Sequence, residues 1–266
     1  MNLEPLLIVE FLLMGSVGGF LAGLLGIGGG MIMVPFMAFI LTGKNFPPEY
    51  VLKMAVATSL ASICFTSLSS LRAHQKKGAV LWPVVKTLSP GIILGSLLGS
   101  QIASALPSKV LGTVFGCFVA FFATQMLLER KPKPSRSLPP PVGMLSMGGL
   151  IGLVSSLVGA GGAFLSVPFM TWCNIKIHQA VGTSSALGFP IALAGTLGYI
   201  WAGQGLPEMP AGALGYIYLP GLLIMSMASM STAPLGARTA HRMDIRPLKR
   251  TFAMLLYGMA AYFFLR

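Results

Sequence analysis

The sequence predicts an all-α polytopic membrane protein made of two inverted repeats, and three observations lead to this fold class. Hydrophobic residues make up 55% of the 266 residues and charged residues only 9%, a composition too apolar for a water-soluble domain. Apolar stretches of about 20 residues or more, long enough to cross a bilayer, recur along the whole chain. A glycine-rich motif occurs twice, once in each half of the chain.

The repeated motif joins a glycine cluster to a Val-Pro-Phe-Met tail. LLGIGGGMIMVPFM occupies residues 24–37, and LVGAGGAFLSVPFM occupies residues 157–170. A shorter pair of segments follows in the same order, with AVATS at residues 55–59 and AVGTS at residues 180–184. The shared order of two motifs predicts an internal duplication.

The two repeats are predicted to be residues 1–130 and residues 142–266. Residues 131–141 between them form a proline-rich, charged segment, which is typical of a linker. Its basic residues predict that this linker is cytoplasmic.

Charge placement indicates how each half crosses the membrane. The first apolar run, at about residues 6–42, is far longer than a bilayer requires, so it is either one broken helix or a helix pair that returns. If both long runs return, 14 of the 18 Lys and Arg residues share the cytoplasmic side, whereas single crossings divide them nine to nine. The other four are then predicted to lie outside, namely Lys44, Lys53, Lys109 and Arg266. The positive-inside rule favours the first arrangement, with loops 72–77 and 238–250 cytoplasmic and loop 204–209 external. Each half then has a broken or re-entrant, glycine-interrupted helix pair plus three transmembrane helices, and this odd number of crossings inverts the second repeat.

The glycine clusters predict a substrate site at the centre of the membrane. Backbone groups freed by a helix break are costly in hydrocarbon, so a break at that depth marks a site lined by protein or by a polar cavity. Inverted repeats with interrupted helices are the architecture of secondary transporters. The short helices after the clusters would direct their N-terminal N–H groups at this site, and such helix ends attract anions. The alternative is that these glycines only allow close helix packing.

Two hydroxyl pairs, Thr58–Ser59 and Thr183–Ser184, are predicted about 12 Å into their helices and therefore near the middle of the membrane. Hydroxyl groups can donate to an oxyanion without a fixed charge, although Ser and Thr in helices also bond carbonyl groups of their own helix. Ser62 and Thr66 are further candidates for the same lining. The predicted substrate-binding residues are Gly26, Gly28, Gly29, Gly30, Thr58, Ser59, Gly159, Gly161, Gly162, Thr183, Ser184 and Ser185.

No catalytic residue, metal site, disulfide or cofactor is predicted. Cys64, Cys117 and Cys173 stand singly in apolar stretches, without metal-ligand spacing to any histidine. A membrane-embedded enzyme would need a nucleophile beside a base, and the spans offer Ser and Thr with no neighbouring His or Asp. Neither glycine cluster has the G-x-G-x-x-G spacing of a dinucleotide site.

The expected partners are a small anionic substrate and the lipid bilayer, without nucleic acid. The net charge of +12 is carried mostly by cytoplasmic loops, where it controls topology and contacts anionic lipid. Glu10 is the one carboxylate expected at membrane depth, with no buried Asp, His or Lys in any other span. A face formed by Gly91, Gly95 and Gly99 suits internal packing or a homodimer. A cation or other-solute transporter or channel, using carbonyl groups in the same breaks, is the alternative function.

The segments together resemble the TauE/SafE family of sulfite and organosulfonate exporters over essentially the whole chain. The resemblance is carried by the doubled glycine motif, the AV(A/G)TS segments, RAHQKKG at residues 72–78, and GARTAHRM with LKRTFAMLLYGMAAYFFL near the end. It implies an exporter of oxyanions such as sulfite, thiosulfate, sulfoacetate or related sulfonates in a prokaryotic inner membrane. The family's usual Gly-Asn-Val-Asp-like segment is replaced here by KGAVLW at residues 77–82.

Overall fold

The computed structural model describes residues 5–25, 30–128, 136–207, 209–240 and 246–265. These residues form ten helices and one short β-hairpin. The helices are α1 (Pro5–Leu25), α2 (Gly30–Gly43), α3 (Pro48–Lys76), α4 (Trp82–Ala105), α5 (Ser108–Leu128), α6 (Pro141–Val158), α7 (Ala163–Trp172), α8 (Ile177–Ala202), α9 (Leu219–Ala240) and α10 (Arg246–Leu265). The hairpin pairs β1 (Ala213–Leu214) antiparallel with β2 (Ile217–Tyr218).

The prediction of an all-α polytopic membrane protein is confirmed. Six helices within the described ranges are long and apolar enough to cross a membrane, namely α3, α4, α5, α6, α8 and the Leu219–Gly236 part of α9. The sequence placed α6 in a returning pair, yet its 18 residues reach about 27 Å, nearly the thickness of the hydrocarbon core. α10, which the sequence predicts as a full crossing, is not among the six.

The first glycine-interrupted run folds back on itself. Leu6 and Glu10 near the start of α1 line one groove together with Ile40 and Lys44 at the end of α2. Further along α1, a Cβ placed on Gly18 would lie 3.1 Å from the side chain of Met33, near the start of α2. Early residues of α1 therefore face late residues of α2, which makes the two helices an antiparallel pair.

The second glycine-interrupted run also returns. The backbone N–H of Arg136 donates to the carbonyl of Trp172 at 3.3 Å, and the guanidinium lies 4.9 Å from the centre of the Trp172 ring. Arg136 is five residues before the start of α6 at Pro141, so the two are at most about 17 Å apart. If α7 continued onward from α6, Trp172 would lie about 42 Å from Pro141. α7 therefore turns back toward the side from which α6 starts.

Helix α4 packs directly along α6. A Cβ on Gly91 would overlap the carbonyl oxygen of Leu145, and a Cβ on Gly95 would overlap the carbonyl oxygen of Gly149. Because the residue numbers at the contacts increase along both helices in the same direction, the two helices run parallel. The small-residue face of α4 is therefore used for packing within the chain.

The same arrangement occurs between α1 and α9. A Cβ on Gly15 would lie 2.7 Å from the carbonyl oxygen of Met225, and a Cβ on Gly19 would overlap the backbone of Ser229. Each half of the chain thus packs its first helix against the fourth helix of the other half.

Helices α3 and α8 form the centre of the molecule. Residues 51–63 of α3 are all buried. The hydroxyl of Ser70 donates to the hydroxyl of Ser185 at 3.1 Å, and a Cβ on Gly195 would lie 3.0 Å from a methyl carbon of Leu60. Late residues of α3 face early residues of α8, so these two central helices run antiparallel.

The short helices α2 and α7 end in the same way. Each is followed by an asparagine with positive φ, Asn45 at 57° and Asn174 at 65°, a conformation that Asn tolerates better than most residues. The N–H of Asn45 donates to the carbonyl of Thr42, and the N–H of Asn174 donates to that of Thr171, both at 3.1 Å. The Thr-x-x-Asn ending therefore recurs in both halves, and α2 is four residues, about one turn, longer than α7.

The β-hairpin between α8 and α9 is the one feature of the described fold that the all-α prediction does not contain. Tyr216 in its turn is 3% exposed, and its ring lies 6.1 Å from that of Tyr50 and 6.2 Å from that of Tyr199. The hairpin therefore packs as a cover on the first turn of α3 and the last turn of α8.

Candidate functional site

The two glycine clusters are in contact at the residues that the structure describes. Gly30, the first residue of α2, packs against Gly159 and Ala160 at the end of α6. A Cβ on Gly30 would overlap the carbonyl oxygen of Gly159 and lie 2.9 Å from the Cα of Ala160. We refer to Gly30 together with residues 159–162 as the glycine junction. Gly26, Gly28 and Gly29 lie outside the described residues.

The turn between α6 and α7 requires glycine at two positions. Gly159 ends α6 with φ of 69°, and Gly162 precedes α7 with φ of 73°. Side-chain-bearing residues rarely adopt this left-handed conformation. The carbonyl of Gly162 accepts the N–H groups of Leu165 and Ser166 at 3.1 and 2.9 Å, and the N–H groups before them in α7 have no acceptor within their own helix. The carbonyl of Gly161 faces α8, 3.7 Å from where a Cβ of Gly188 would lie.

Ser59 of α3 is placed beside the glycine junction. Val56 and Ile63 on the same helix both contact the junction. The Cα of Val56 is 3.1 Å from where a Cβ of Gly159 would lie, and the Cδ1 of Ile63 is 2.9 Å from where a Cβ of Gly30 would lie. Ser59 lies three residues after Val56 and four before Ile63, and therefore on the same helix face. It is fully buried, and its hydroxyl has no hydrogen-bond partner among the described residues.

Two more unpartnered hydroxyls lie at the end of α6. Ser155 and Ser156 are both fully buried, and their side-chain oxygens lack a partner in the described part of the chain. The oxygen of Ser155 is 3.0 Å from a Cβ position on Gly162, and that of Ser156 is 3.0 Å from one on Gly195. A buried hydroxyl without a partner costs about 1–3 kcal/mol, so Ser59 and Ser155 beside the helix break are candidates for substrate binding. Ser96 of α4 also lacks a partner among the described residues, but it lies at the contact with Gly152 of α6.

Thr58 and Thr183 have equivalent hydrogen bonds in the two halves. The oxygen of Thr58 accepts the backbone N–H of Tyr218 just before α9, and that of Thr183 accepts the N–H of Leu81 just before α4, both at 3.0 Å. Each threonine therefore joins its own central helix to the start of a helix in the other half. Their predicted role in substrate binding stays a prediction, beside this structural role.

The remaining hydroxyls that the sequence singled out are engaged within the protein. Ser184 shares a hydrogen bond of 2.7 Å with Ser166 of α7. Ser185, which is half-buried, accepts from Ser70 and donates to a carbonyl of its own helix. Ser62 accepts from Ser226 at 3.2 Å, and Thr66 bonds carbonyls of its own helix. Of the hydroxyls predicted to bind substrate, Ser59 is the one that is buried without a partner among the described residues.

Two features at membrane depth were missed by sequence reasoning. Ser155 and Ser156 have no counterpart in the first glycine motif, so a search for repeated residues passes over them. Lys53 of α3 is 8% exposed, which corrects the expectation that no buried lysine occurs in the spans. The basic residues of a span's ends are usually solvated, and this one is covered because the β-hairpin folds over it.

Glu10, the carboxylate expected at membrane depth, lies away from the glycine junction. It lines the groove between α1 and α2, about 22 Å along α1 from the end of that helix at Leu25. Its Oε2 atom is buried and has no hydrogen-bond partner among the described residues. Any influence of Glu10 on a substrate at the junction would therefore act without direct contact.

The chain matches one protein family over nearly its whole length. Residues 11–263 match the family described as "Sulfite exporter TauE/SafE". A "probable membrane transporter protein" of Haemophilus influenzae is 36% identical over 256 residues, which cover 96% of this chain and 97% of the relative.

More distant relatives also align end to end. A "probable membrane transporter protein" of Methanocaldococcus jannaschii is 24% identical, with 99% of this chain and 96% of the relative covered. Another protein of that description, from Bacillus subtilis, is 27% identical over 93% of this chain and 96% of its own length. No solved structure matches the chain. The family match and the coverage of these relatives show that the chain belongs to the TauE/SafE sulfite exporter family of membrane transporters.

Proposed function

We propose that this multi-pass membrane transporter exports small sulfur-containing oxyanions, such as sulfite, thiosulfate or a sulfonate like sulfoacetate, across a prokaryotic inner membrane. The observation that carries the proposal is the pair of unpartnered, buried hydroxyls of Ser59 and Ser155 at the glycine junction, with a third, that of Ser156, facing Gly195 of α8. The match to a family described as sulfite exporters supports the substrate class.

The chemistry of the junction favours an anion. Hydroxyl groups and the N–H groups of the first residues of α7 are hydrogen-bond donors, and an oxyanion presents several acceptor oxygens to them. Donors that carry no formal charge bind the anion without holding it as tightly as a lysine would, which allows release. A cation would instead require several carbonyl oxygens turned toward one point.

The arrangement of helices supports two inverted repeats. Equivalent helices of the two halves run antiparallel, α3 beside α8 and α5 beside α10. In the second pair, the ring of Phe115 packs 5.0 Å from that of Phe263, and the hydroxyls of Thr124 and Tyr257 share a hydrogen bond. Repeats of opposite orientation around a central site are the basis of alternating access in secondary transporters.

The inverted topology predicts a labelling pattern. Single cysteines at Gln75, Gln204 and Thr239, in a background without native cysteines, should react with a membrane-impermeant reagent from outside at Gln204 alone. The reason is the concentration of basic residues on the side of Gln75 and Thr239. External labelling at either of those two positions would contradict the inverted arrangement.

The substrate class is tested by flux into proteoliposomes containing the purified protein. Labelled sulfite, thiosulfate and sulfoacetate are expected to cross faster than through protein-free liposomes, while labelled sodium and potassium are not. Unlabelled sulfite should compete with each of the other anions, because they share one site. Cation flux without anion flux would instead favour a cation transporter or channel that uses the same helix breaks.

A further inference from the structure

Lys53 is a buried cation that the glycine junction does not use. It is 8% exposed, and its ammonium donates to the carbonyl oxygen of Ser104 at 2.6 Å. The ammonium also lies 5.9 Å from the centre of the Tyr216 ring in the β-hairpin. Glu49, one turn earlier on α3, attracts it electrostatically, but within the described residues no carboxylate shares a hydrogen bond with it.

Burying this ammonium is costly, and a simple packing role does not require the charge. A lysine moved out of water loses much of its hydration, which one carbonyl and one aromatic ring replace only in part. The structural explanation is that Lys53 caps the end of α4, since Ser104 is the second-last residue of that helix. A hydroxyl or amide side chain would satisfy the same carbonyl without the charge.

Helix α3 connects Lys53 with the glycine junction. Val56, one turn further along α3, contacts Gly159 of the junction. Ser59 follows six residues after Lys53, about 9 Å along the helix axis.

The aromatic residues around Lys53 also reach the end of α6. The ring of Tyr216 lies 6.2 Å from that of Tyr199, whose hydroxyl donates to the carbonyl of Ser156 at 3.0 Å. Tyr199 is fully buried, so it forms a packed wall between the cover over Lys53 and the unpartnered hydroxyls at the end of α6.

A basic residue holds the corresponding place in the second half. Lys53 stands two residues before AVATS, and His178 stands two residues before AVGTS. His178 is exposed, whereas Lys53 is covered by the hairpin. In the predicted inverted topology these two residues lie on opposite sides of the membrane.

We propose that Lys53 forms a second, outer binding site for the transported oxyanion, beneath Tyr216 and between the glycine junction and the external face. The inference rests on the proposed anion transport. When the hairpin moves away from α3, the ammonium exchanges the Ser104 carbonyl for an oxygen of the anion, and its charge favours anions over cations at the outer mouth. Tyr216 re-forms the cover after the anion has left.

The test compares exchange from each face of the membrane. Right-side-out and inside-out vesicles carry labelled sulfite outside and unlabelled sulfite inside, and KM is measured for the parent, Lys53→Gln, Lys53→Arg and Lys109→Gln. Lys53→Gln is expected to raise KM at the outer face by about tenfold, as loss of a charge-assisted hydrogen bond gives, with little change at the inner face. Lys53→Arg keeps the charge and should stay close to the parent. Lys109→Gln removes an exposed charge from the same predicted side and should change neither value.

Two results would overturn the outer site. One is an outer-face KM for Lys53→Gln equal to that of Lys109→Gln. The other is an equal rise on both faces together with a lower unfolding temperature in anion-free buffer, which would show that Lys53 only caps α4. Lys53→Met, which keeps the length of the aliphatic stem, replaces Lys53→Gln if that variant does not fold.

A binding measurement separates this inference from the proposed function. If the parent exchanges none of the sulfur oxyanions, the proposed function is wrong. The outer site is then tested by the unfolding temperature of the purified parent and Lys53→Gln proteins in sulfite, thiosulfate or chloride. Stabilisation of the parent by an anion that is lost in Lys53→Gln would support the outer site. Equal stabilisation of both proteins, or none in the parent, would overturn it.

Discussion

Gly30→Ala is expected to reduce sulfite transport to the level of protein-free liposomes, although it adds a single methyl group. The new Cβ would overlap the carbonyl oxygen of Gly159, and this contact is between backbones that belong to different halves. Relieving the overlap requires the two halves to separate at the point where the substrate is proposed to bind. Overpacking of this kind lowers the free energy of unfolding by about 1–3 kcal/mol. Native proteins have about 5–15 kcal/mol of stability, so the variant is expected to remain folded.

Gly43→Ala is the matched control for this change. Gly43 ends the same helix that Gly30 begins, and a Cβ there would have nothing within 4 Å. Both variants are reconstituted, and initial flux of labelled sulfite is compared per molecule of inserted protein. Equal flux from the two variants would contradict a role of the junction in transport. Failure of Gly30→Ala to accumulate in the membrane, where Gly43→Ala does, would show that the glycine serves packing.

Ser59→Ala is expected to raise KM for sulfite by about tenfold or more, since a hydrogen bond to a charged group contributes about 1.5–3 kcal/mol. The same change should leave the unfolding temperature unchanged or raise it, because the hydroxyl has no partner to lose among the described residues. A loss of affinity together with retained stability distinguishes a binding residue from a structural one. Ser155→Ala is expected to behave in the same way.

Two serines with known partners provide the comparison. Ser184→Ala breaks the bond with Ser166 and should lower the unfolding temperature. Ser100→Ala loses only a bond within its own helix, to the carbonyl of Leu97, and should have little effect on KM. If Ser59→Ala lowers stability as Ser184→Ala does and leaves KM unchanged, its hydroxyl is structural.

Much of the architecture could be predicted from the chain because its signals are local or repeated. Hydropathy alone identifies the membrane class, and the positions of Lys and Arg predict that the two glycine-interrupted runs return, as the contact of Arg136 with Trp172 shows for the second. The mutual packing of first and fourth helices was not predicted. It depends on which glycine faces meet, for example Gly95 against Gly149, and a single sequence does not specify that pairing.

The site was predicted less completely, for physical reasons that differ between residues. The meeting of Gly30 with Gly159 follows the prediction that the breaks converge. Whether a buried hydroxyl has a hydrogen-bond partner depends on its tertiary neighbours, which the sequence does not show. Thr58 accepts the N–H of Tyr218, whereas the adjacent Ser59 has no partner among the described residues, yet the two look alike in the sequence. Lys53 was assigned to the outer surface because hydropathy does not reveal that a hairpin 160 residues later covers it.

The central claim is that an anion is carried outward through the glycine junction, and the most direct measurement is sulfite efflux at a clamped membrane potential. Proteoliposomes are loaded with labelled sulfite, the potential is set with potassium and valinomycin, and no proton or sodium gradient is supplied. An anion carried alone gains about 2.3 kcal/mol per charge for each 100 mV of inside-negative potential, so efflux is predicted to rise as the potential becomes more negative inside. Gly43→Ala should follow the parent, and Gly30→Ala should show no efflux at any potential. Efflux that ignores the potential, or that occurs only when a proton or sodium gradient is present, would contradict this account.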